Sequence, residues 1–148
     1  GDAVHNIPAS PGLYLGSVAP DGEVSTRAEN TSGAADGDDD DNVDDDDAFA
    51  SLADVPIVGN YSLNVPLTSN LGTATLHAWI DFNQNDVFDA EEYQSAAVAQ
   101  NDTSANLTWA VPTGTVVGET YARFRLTSDT SINSSTPNGI ATDGEVED

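Results

Sequence analysis

Residues 75–92 read Thr75-Leu-His-Ala-Trp-Ile-Asp-Phe-Asn-Gln-Asn-Asp-Val-Phe-Asp-Ala-Glu-Glu92, a strand pattern that runs directly into an acidic loop. In residues 75–80, Leu76, Ala78 and Ile80 alternate with the residues between them, which predicts a half-buried β-strand. A strand at this point replaces the entering helix of a calcium sensor, and the chain offers no helix pair that calcium could move. The stretch therefore predicts a calcium loop on a β scaffold.

The twelve residues from Asp81 to Glu92 have the ligand spacing of a calcium loop of EF-hand type. Oxygen-bearing side chains occupy positions 1, 3, 5, 9 and 12, and position 7 would supply its backbone carbonyl. These predicted Ca²⁺ ligands are Asp81, Asn83, Asn85, Val87, Asp89 and Glu92. Asp86 stands where glycine is expected, and Asp tolerates the left-handed backbone of that turn better than most residues. Phe88 would pin the loop to a core. The alternative interpretation is a polar hairpin loop.

The composition favours one folded, strongly acidic domain. The 148 residues are 38% hydrophobic, contain no cysteine, and carry a formal net charge of −23 from 26 acidic residues and three Lys/Arg. That charge repels nucleic acids and anionic membranes, and the hydrophobic fraction is too high for a wholly disordered chain. Without disulfides, a metal ion is the obvious staple for a small extracellular domain. With no bilayer-length apolar run and no signal-peptide pattern, we expect a domain cut from a longer secreted chain.

A second acidic segment, residues 36–47, contains nine aspartates. A charge run of this kind is ordinarily solvated, and we keep that interpretation for residues 44–47. The first half contains an Asp-Gly-Asp turn suited to oxygen ligation. Its predicted metal ligands are Asp36, Asp38, Asp39 and Asp40.

A third acidic cluster closes the chain. In an extended conformation Glu145 and Glu147 share one side, with Val146 opposite. The pair is either part of an acidic edge strand or a set of ligands for a cation shared with residues 36–41. We also predict that Arg123 and Arg125, on the outward face of one strand, pair with carboxylates such as these two.

The remaining sequence predicts short strands separated by turns. These strands are residues 55–58, 61–67, 93–98, 106–111 and 120–126. Residues 93–98 are ambiguous, because Asp89 and Glu92 could cap one helical turn, and we favour a strand. The predicted class is all-β, an antiparallel, jelly-roll-like β-sandwich with long acidic calcium-binding loops.

The sequence gives little support for a catalytic function. There is no cysteine nucleophile, no G-x-S-x-G and no H-E-x-x-H, and His5 and His77 are far apart in sequence. Carboxylate pairs for glycoside hydrolysis could be drawn from many of the acids, so none is persuasive. We therefore expect a protein that is not an enzyme.

The chain ends Ala141-Thr-Asp-Gly-Glu-Val-Glu-Asp148, and further matches occur in order along it, including Leu13-Tyr-Leu-Gly16, Ala78-Trp-Ile-Asp-Phe-Asn83 and Tyr121-Ala-Arg-Phe-Arg125. In these segments the chain resembles the GEVED domain family. The resemblance implies a single β-sandwich domain over residues 1–148, from a large secreted or surface-attached bacterial protein with other domains in the parent chain. Asn85-Asp86 stands where the family usually has Asp-Gly, which bears on calcium affinity more than on fold.

Two non-enzymatic functions remain open. The first is a module that binds a polysaccharide or another extracellular matrix polymer, which would need exposed aromatic rings beside polar groups. The candidate rings are Trp79, Tyr61, Tyr121 and Trp109, and a core position is the alternative for Trp109 and Trp79. The second is a structural spacer that is rigid only with calcium.

Overall fold

The computed structural model describes residues 3–20, 48–49 and 51–147, and within these ranges it is built from nine strands and one short 3₁₀ helix. The helix is Ala90–Glu92. The strands are β1 (Ala3–His5), β2 (Leu13–Leu15), β3 (Asn60–Ser69), β4 (Ala74–Ile80), β5 (Tyr93–Val98), β6 (Ser104–Ala110), β7 (Ala122–Thr127), β8 (Gly139–Ala141) and β9 (Glu145–Glu147). None of the helical structure in these ranges is long and apolar enough to cross a membrane.

The strands form two antiparallel sheets and one small parallel pair. A three-stranded sheet has the order β2-β3-β6, and a four-stranded sheet has the order β5-β4-β7-β9. Strands β1 and β8 pair in parallel, which joins the two ends of the chain. The expectation of an all-β protein with antiparallel sheets is confirmed.

One hydrophobic core is shared by the inner faces of the two sheets. Strand β3 alternates between buried and exposed residues along most of its length, as expected for a strand with one face on a core. The fully or almost fully buried core residues from the three-stranded sheet include Val65, Leu107 and Trp109. Those from the four-stranded sheet include Leu76, Ala78, Phe124 and Leu126. The arrangement is β-sandwich-like.

Two predictions about strands need correction. Residues 55–58 form no strand, since Pro56 lacks the amide that a ladder requires and the ordered pairing begins only at Asn60. Strand β4 is buried on both faces and not on one. Residues 128–141 cover its outer face, where Trp79 is completely buried against Ile132 and Ala141.

Arg123 and Arg125 lie beneath this covering segment and not at the surface. Arg125 is 0% exposed and donates to the carbonyls of Thr136, Asn138 and Gly139. In the β7–β9 ladder, Phe124 stands opposite Glu147 and Leu126 opposite Glu145. Directly opposed residues share a face, so both glutamates lie on the other side of the sheet from Arg125. The predicted pairing with these two glutamates is therefore wrong.

The N-terminal strand is tied to the same arginine through His5. Arg125 Nε donates to His5 Nε2 at 3.0 Å, while His5 Nδ1 lies 2.7 Å from the Asp143 carbonyl. Because a guanidinium only donates, Nε2 must accept and the ring proton must be on Nδ1. Burial and the Arg125 charge lower the pKa of His5 to about 4.

Candidate functional site

The acidic loop begins where β4 ends, and its first residue organises the turn. The buried Asp81 carboxylate accepts from the Asn85 amide at 3.1 Å and from the Asp86 amide at 2.9 Å. Asp86 has φ 62° and Gln84 has φ 57°. The left-handed backbone predicted at Asp86 is thereby confirmed, and the loop curls around the Asp81 side chain.

Three further predicted ligands converge inside this curl. Asn83 Nδ2 and Asn85 Nδ2 both donate to Asp89 Oδ2, at 3.1 and 3.0 Å. The other oxygen of the first amide, Asn83 Oδ1, is buried and has no hydrogen-bond partner in the part of the chain that the structure describes. A buried acceptor without a hydrogen-bond donor or a cation lowers the stability of the fold by about 1–3 kcal/mol.

Glu92 closes the loop from the other end. Its Oε1 accepts from the amides of Phe82 and Asn83 at 2.8 and 3.3 Å, and its Oε2 accepts from the Asp89 amide at 2.9 Å. Asp89 and Glu92 thus bracket the 3₁₀ helix, and a strand follows at Tyr93 as predicted. Burial raises the pKa of the Glu92 carboxyl.

The neighbouring residues fix the loop to the body of the protein. Phe88 packs against Trp79, with ring centroids 6.5 Å apart, and the Arg123 guanidinium lies 5.5 Å from its ring centroid. This confirms that Phe88 pins the loop. Val87 is 56% exposed, in keeping with a residue expected to contribute only its backbone carbonyl.

The donor set suits a hard cation such as Ca²⁺. The predicted ligands are carboxylate and amide oxygens, and Asn83 Oδ1, the enclosed side-chain atom that lacks a partner within the described ranges, belongs to this set. A cavity of about 210 Å³ borders Asn83, Asp89 and Glu92 and gives access from solvent. Among residues 3–20, 48–49 and 51–147, no group of three or more His, Cys, Asp or Glu side chains is placed to hold a metal. Asparagines occupy two of the five side-chain positions here, so the loop would depend on amide and carbonyl oxygens as well.

The two other predicted acidic sites have different outcomes. Asp36, Asp38, Asp39 and Asp40 lie outside the described residues. Glu145 and Glu147 share one face of β9, as predicted, and both are buried. Their carboxylates accept from the backbone amides of Leu15 and Ala48 respectively, the latter at 3.3 Å. The pair thus faces residue 48, which directly follows the acidic segment.

Three of the four aromatic candidates for ligand binding are core residues. Trp79 is 0% exposed, Trp109 1% and Tyr61 4%. Trp109 Nε1 donates to the Glu92 carbonyl at 2.8 Å, and Tyr61 packs against its ring. Since a sugar platform must face solvent, the interpretation of these three rings as ligand-binding is corrected. Tyr121, at 69%, is exposed.

A larger cavity, of about 380 Å³, opens on the outer face of the four-stranded sheet beside His77. Of its polar residues only His77 was considered from the sequence, and no binding role was predicted for any of them. Its walls come from the start of β4 and from residues 128–132. These segments are more than fifty positions apart in sequence, and only tertiary pairing of β4 with β7 brings them together. No local pattern could have predicted this groove.

Comparison with known proteins identifies the family. The GEVED domain model matches residues 75–148, half of the chain, from the start of β4 through the acidic loop to the last residue. Searches among curated proteins and among solved structures find no match. The matched half contains the loop, the covering segment and the terminal Gly-Glu-Val-Glu-Asp sequence. The chain belongs to the GEVED domain family.

Proposed function

We propose that this chain is a non-catalytic, calcium-binding module of a secreted or cell-surface bacterial protein, and that it presents a binding surface to a glycan or matrix polymer. Calcium would occupy the loop from Asp81 to Glu92. The single observation that carries the calcium site is the enclosed Asn83 Oδ1, which has no hydrogen-bond partner among the described residues, on a side chain that meets Asn85 at the Asp89 carboxylate. A cation that prefers oxygen ligands would coordinate Asn83 Oδ1 and bring Asn83, Asn85 and Asp89 closer together.

The loop is positioned where a bound ion would stiffen the whole fold. The Asp81 amide donates to the Tyr121 carbonyl at 3.0 Å, next to β7, and the Val116 amide donates to the Phe82 carbonyl at 2.9 Å. On the other side, Trp109 of the three-stranded sheet donates to Glu92. Residues of both sheets therefore contact the loop, so its order affects how the sheets are held together.

Excess negative charge gives calcium a second effect. The chain carries −23, and each Ca²⁺ removes two units of this charge from the neighbourhood of the loop. Close carboxylates such as Asp81 and Glu92 repel one another when no cation is bound. Binding would therefore stabilise the folded chain both by ligation and by relief of this repulsion.

The test is thermal unfolding of wild-type protein and of Asn83→Ala, each in chelator and in millimolar calcium. At a hundred times its dissociation constant, calcium adds about 2.7 kcal/mol by mass action, which corresponds to a rise in Tm of about 5 to 10 °C for a domain of this size. In chelator, Asn83→Ala should be close to neutral, because it removes the unpartnered oxygen together with one hydrogen bond. In calcium it should lose most of the rise.

Asn106→Ala is the matched control. Asn106 is an exposed asparagine on β6, and its side chain accepts from Asn64. It should keep the full calcium effect. Equal calcium responses in wild type and Asn83→Ala would exclude the loop as the site.

A second candidate function is the structural spacer, and the burial of Trp79, Trp109 and Tyr61 favours it. A spacer needs calcium-dependent rigidity and no ligand platform. It differs from the binding module in one measurable property, since a folded, calcium-loaded spacer binds no glycan.

A further inference from the structure

We propose that the groove between the start of β4 and residues 128–132 binds a neutral sugar unit of a glycan. This inference rests on the binding function proposed above and moves its site from the aromatic rings to the outer face of the four-stranded sheet. The residues that line it include Thr73, Thr75, His77, Asp129, Thr130 and Ile132.

The groove has the size and the lining of a small polar binding site. Its volume of about 380 Å³ falls within the range of known small-molecule sites, roughly 300–1,000 Å³. Four of its side chains carry hydroxyls and one is a carboxylate. Ile132, almost fully buried, supplies an apolar wall against which the C–H face of a sugar can pack.

His77 is a built-in polar group at the base of this groove. It is 4% exposed, and its Nδ1 lies 2.8 Å from the Tyr93 hydroxyl. Its Nε2 makes no hydrogen bond to any residue that the structure describes. The one fully enclosed side-chain atom without a partner in those residues is Asn83 Oδ1, so Nε2 must reach solvent. Nε2 is therefore available to a ligand in the groove.

Charge and tautomer decide what His77 can offer. Burial and the Arg125 guanidinium on the adjacent strand lower the pKa of His77 to about 4, so the ring is neutral at pH 7. A neutral imidazole with Tyr93 on one nitrogen presents the other as a single donor or acceptor. This suits a hydroxyl group, which can play either role.

Asp129 provides the complementary acceptor. Its Oδ1 accepts from the Ser131 amide and hydroxyl at 2.9 and 2.7 Å, and its Oδ2 accepts from the Thr142 amide at 3.1 Å. The Ser131 hydrogen bonds hold the pKa of Asp129 at about 2, so the carboxylate is ionised. An ionised carboxylate retains unused lone pairs and accepts from ligand hydroxyls, while it repels an anionic ligand.

The threonines complete the argument for a polyhydroxylic ligand. The hydroxyls of Thr73, Thr75 and Thr130 have no hydrogen-bond partner among the residues described by the structure. Each can donate and accept. A neutral sugar matches such a surface because its hydroxyls do the same, and the net charge of −23 disfavours an acidic glycan.

The experiment measures binding to an array of neutral oligosaccharides of glucose, galactose, mannose and N-acetylglucosamine in calcium buffer. Hits are then quantified by isothermal titration calorimetry. The variants are Thr75→Val, Asp129→Asn and the control Thr108→Val, whose hydroxyl lies on β6 of the other sheet beside Ser62. At least one neutral glycan should bind, and each groove variant should weaken its Kd by about tenfold, the loss of one good hydrogen bond. The control should bind as wild type does.

Two results would overturn the groove: no neutral glycan bound by folded, calcium-loaded protein, or equal affinity in wild type and both groove variants. Thr75→Val preserves side-chain shape, so it answers the question even if Asp129→Asn fails to fold. The calcium dependence of Tm is measured on the same samples. A calcium-dependent Tm without glycan binding refutes the groove and leaves the calcium site intact. Glycan binding that is weakened by the groove variants, without a calcium-dependent Tm, supports the groove and refutes the calcium site.

Discussion

His5 and Arg125 give the fold a calculable dependence on pH. The folded pKa of His5 is about 4, against an ordinary value of 6.5, because the ring is buried and accepts a hydrogen bond from Arg125. Protonation of Nε2 would break that bond and place two cations about 3 Å apart. The neutral ring therefore stabilises the folded state. This contribution is fully present at pH values above 6.5, the ordinary pKa of His5 in the unfolded chain.

The sign and size of the change in the free energy of unfolding follow from the difference between the folded and unfolded pKa of His5. Since the folded pKa is depressed, the contribution is lost as pH falls from about 6.5 towards 4. A shift of about 2.5 units at 1.36 kcal/mol per unit corresponds to about 3 kcal/mol between pH 7 and pH 4. Many carboxylates also titrate in this range, so a difference between two variants is the quantity to measure.

The matched variant is His5→Gln, whose amide oxygen can still accept from Arg125 but does not titrate. Urea unfolding at pH 7 and pH 4, in identical buffers, gives the free energy of unfolding of both proteins. Wild type should lose about 3 kcal/mol more than His5→Gln on acidification. An equal loss in the two proteins would refute the arrangement of His5 between Arg125 and Asp143.

Three further substitutions test the packing against β7 and against the acidic loop. Gly144→Ala should cost about 3 kcal/mol or more in the free energy of unfolding, because φ is +84° and an added Cβ would stand 1.8 Å from the Leu126 carbonyl oxygen. The control Gly114→Ala has φ +105° and open space around it, so it should cost only about 1–2 kcal/mol. Similar losses in Gly144→Ala and Gly114→Ala would contradict the close approach of residue 144 to β7. Trp109→Phe keeps most of the core volume but leaves the Glu92 carbonyl without its donor, so urea unfolding should show a loss of about 2 kcal/mol; a neutral result would show that the bond between β6 and the loop is unimportant.

The parts of the fold that depend on local spacing could be predicted from the sequence. The Asp81 turn, the left-handed Asp86 and the anchoring role of Phe88 all follow from a twelve-residue pattern. Alternation correctly indicated that β4 is a strand and that Glu145 and Glu147 share one side, and residues 93–98, which were ambiguous, form the favoured strand β5. The burial of Tyr61 also had a signal, since it shares the period of Leu63 and Val65, residues that plainly face a core.

The outer face of β4 could not be predicted, because its cover comes from a distant part of the chain. Residues 128–141 contain few large apolar side chains, and much of their attachment is the set of carbonyls that Arg125 binds. Arginine in an alternating strand normally indicates a solvent-exposed face. Here the segment that Arg125 binds also covers Trp79, which is therefore a core residue. The glycan site expected at Trp79 is lost for the same reason.

The most direct test of the calcium site is a crystal structure grown in calcium, with an anomalous difference map. We expect a peak in the loop with Asn83 Oδ1 and an Asp81 oxygen about 2.3–2.6 Å from it, the normal range for calcium–oxygen bonds. Asn85, the Val87 carbonyl, Asp89 and Glu92 should complete the shell. Calcium peaks confined to other acidic segments, with Asn83 Oδ1 still lacking a partner, would contradict the account.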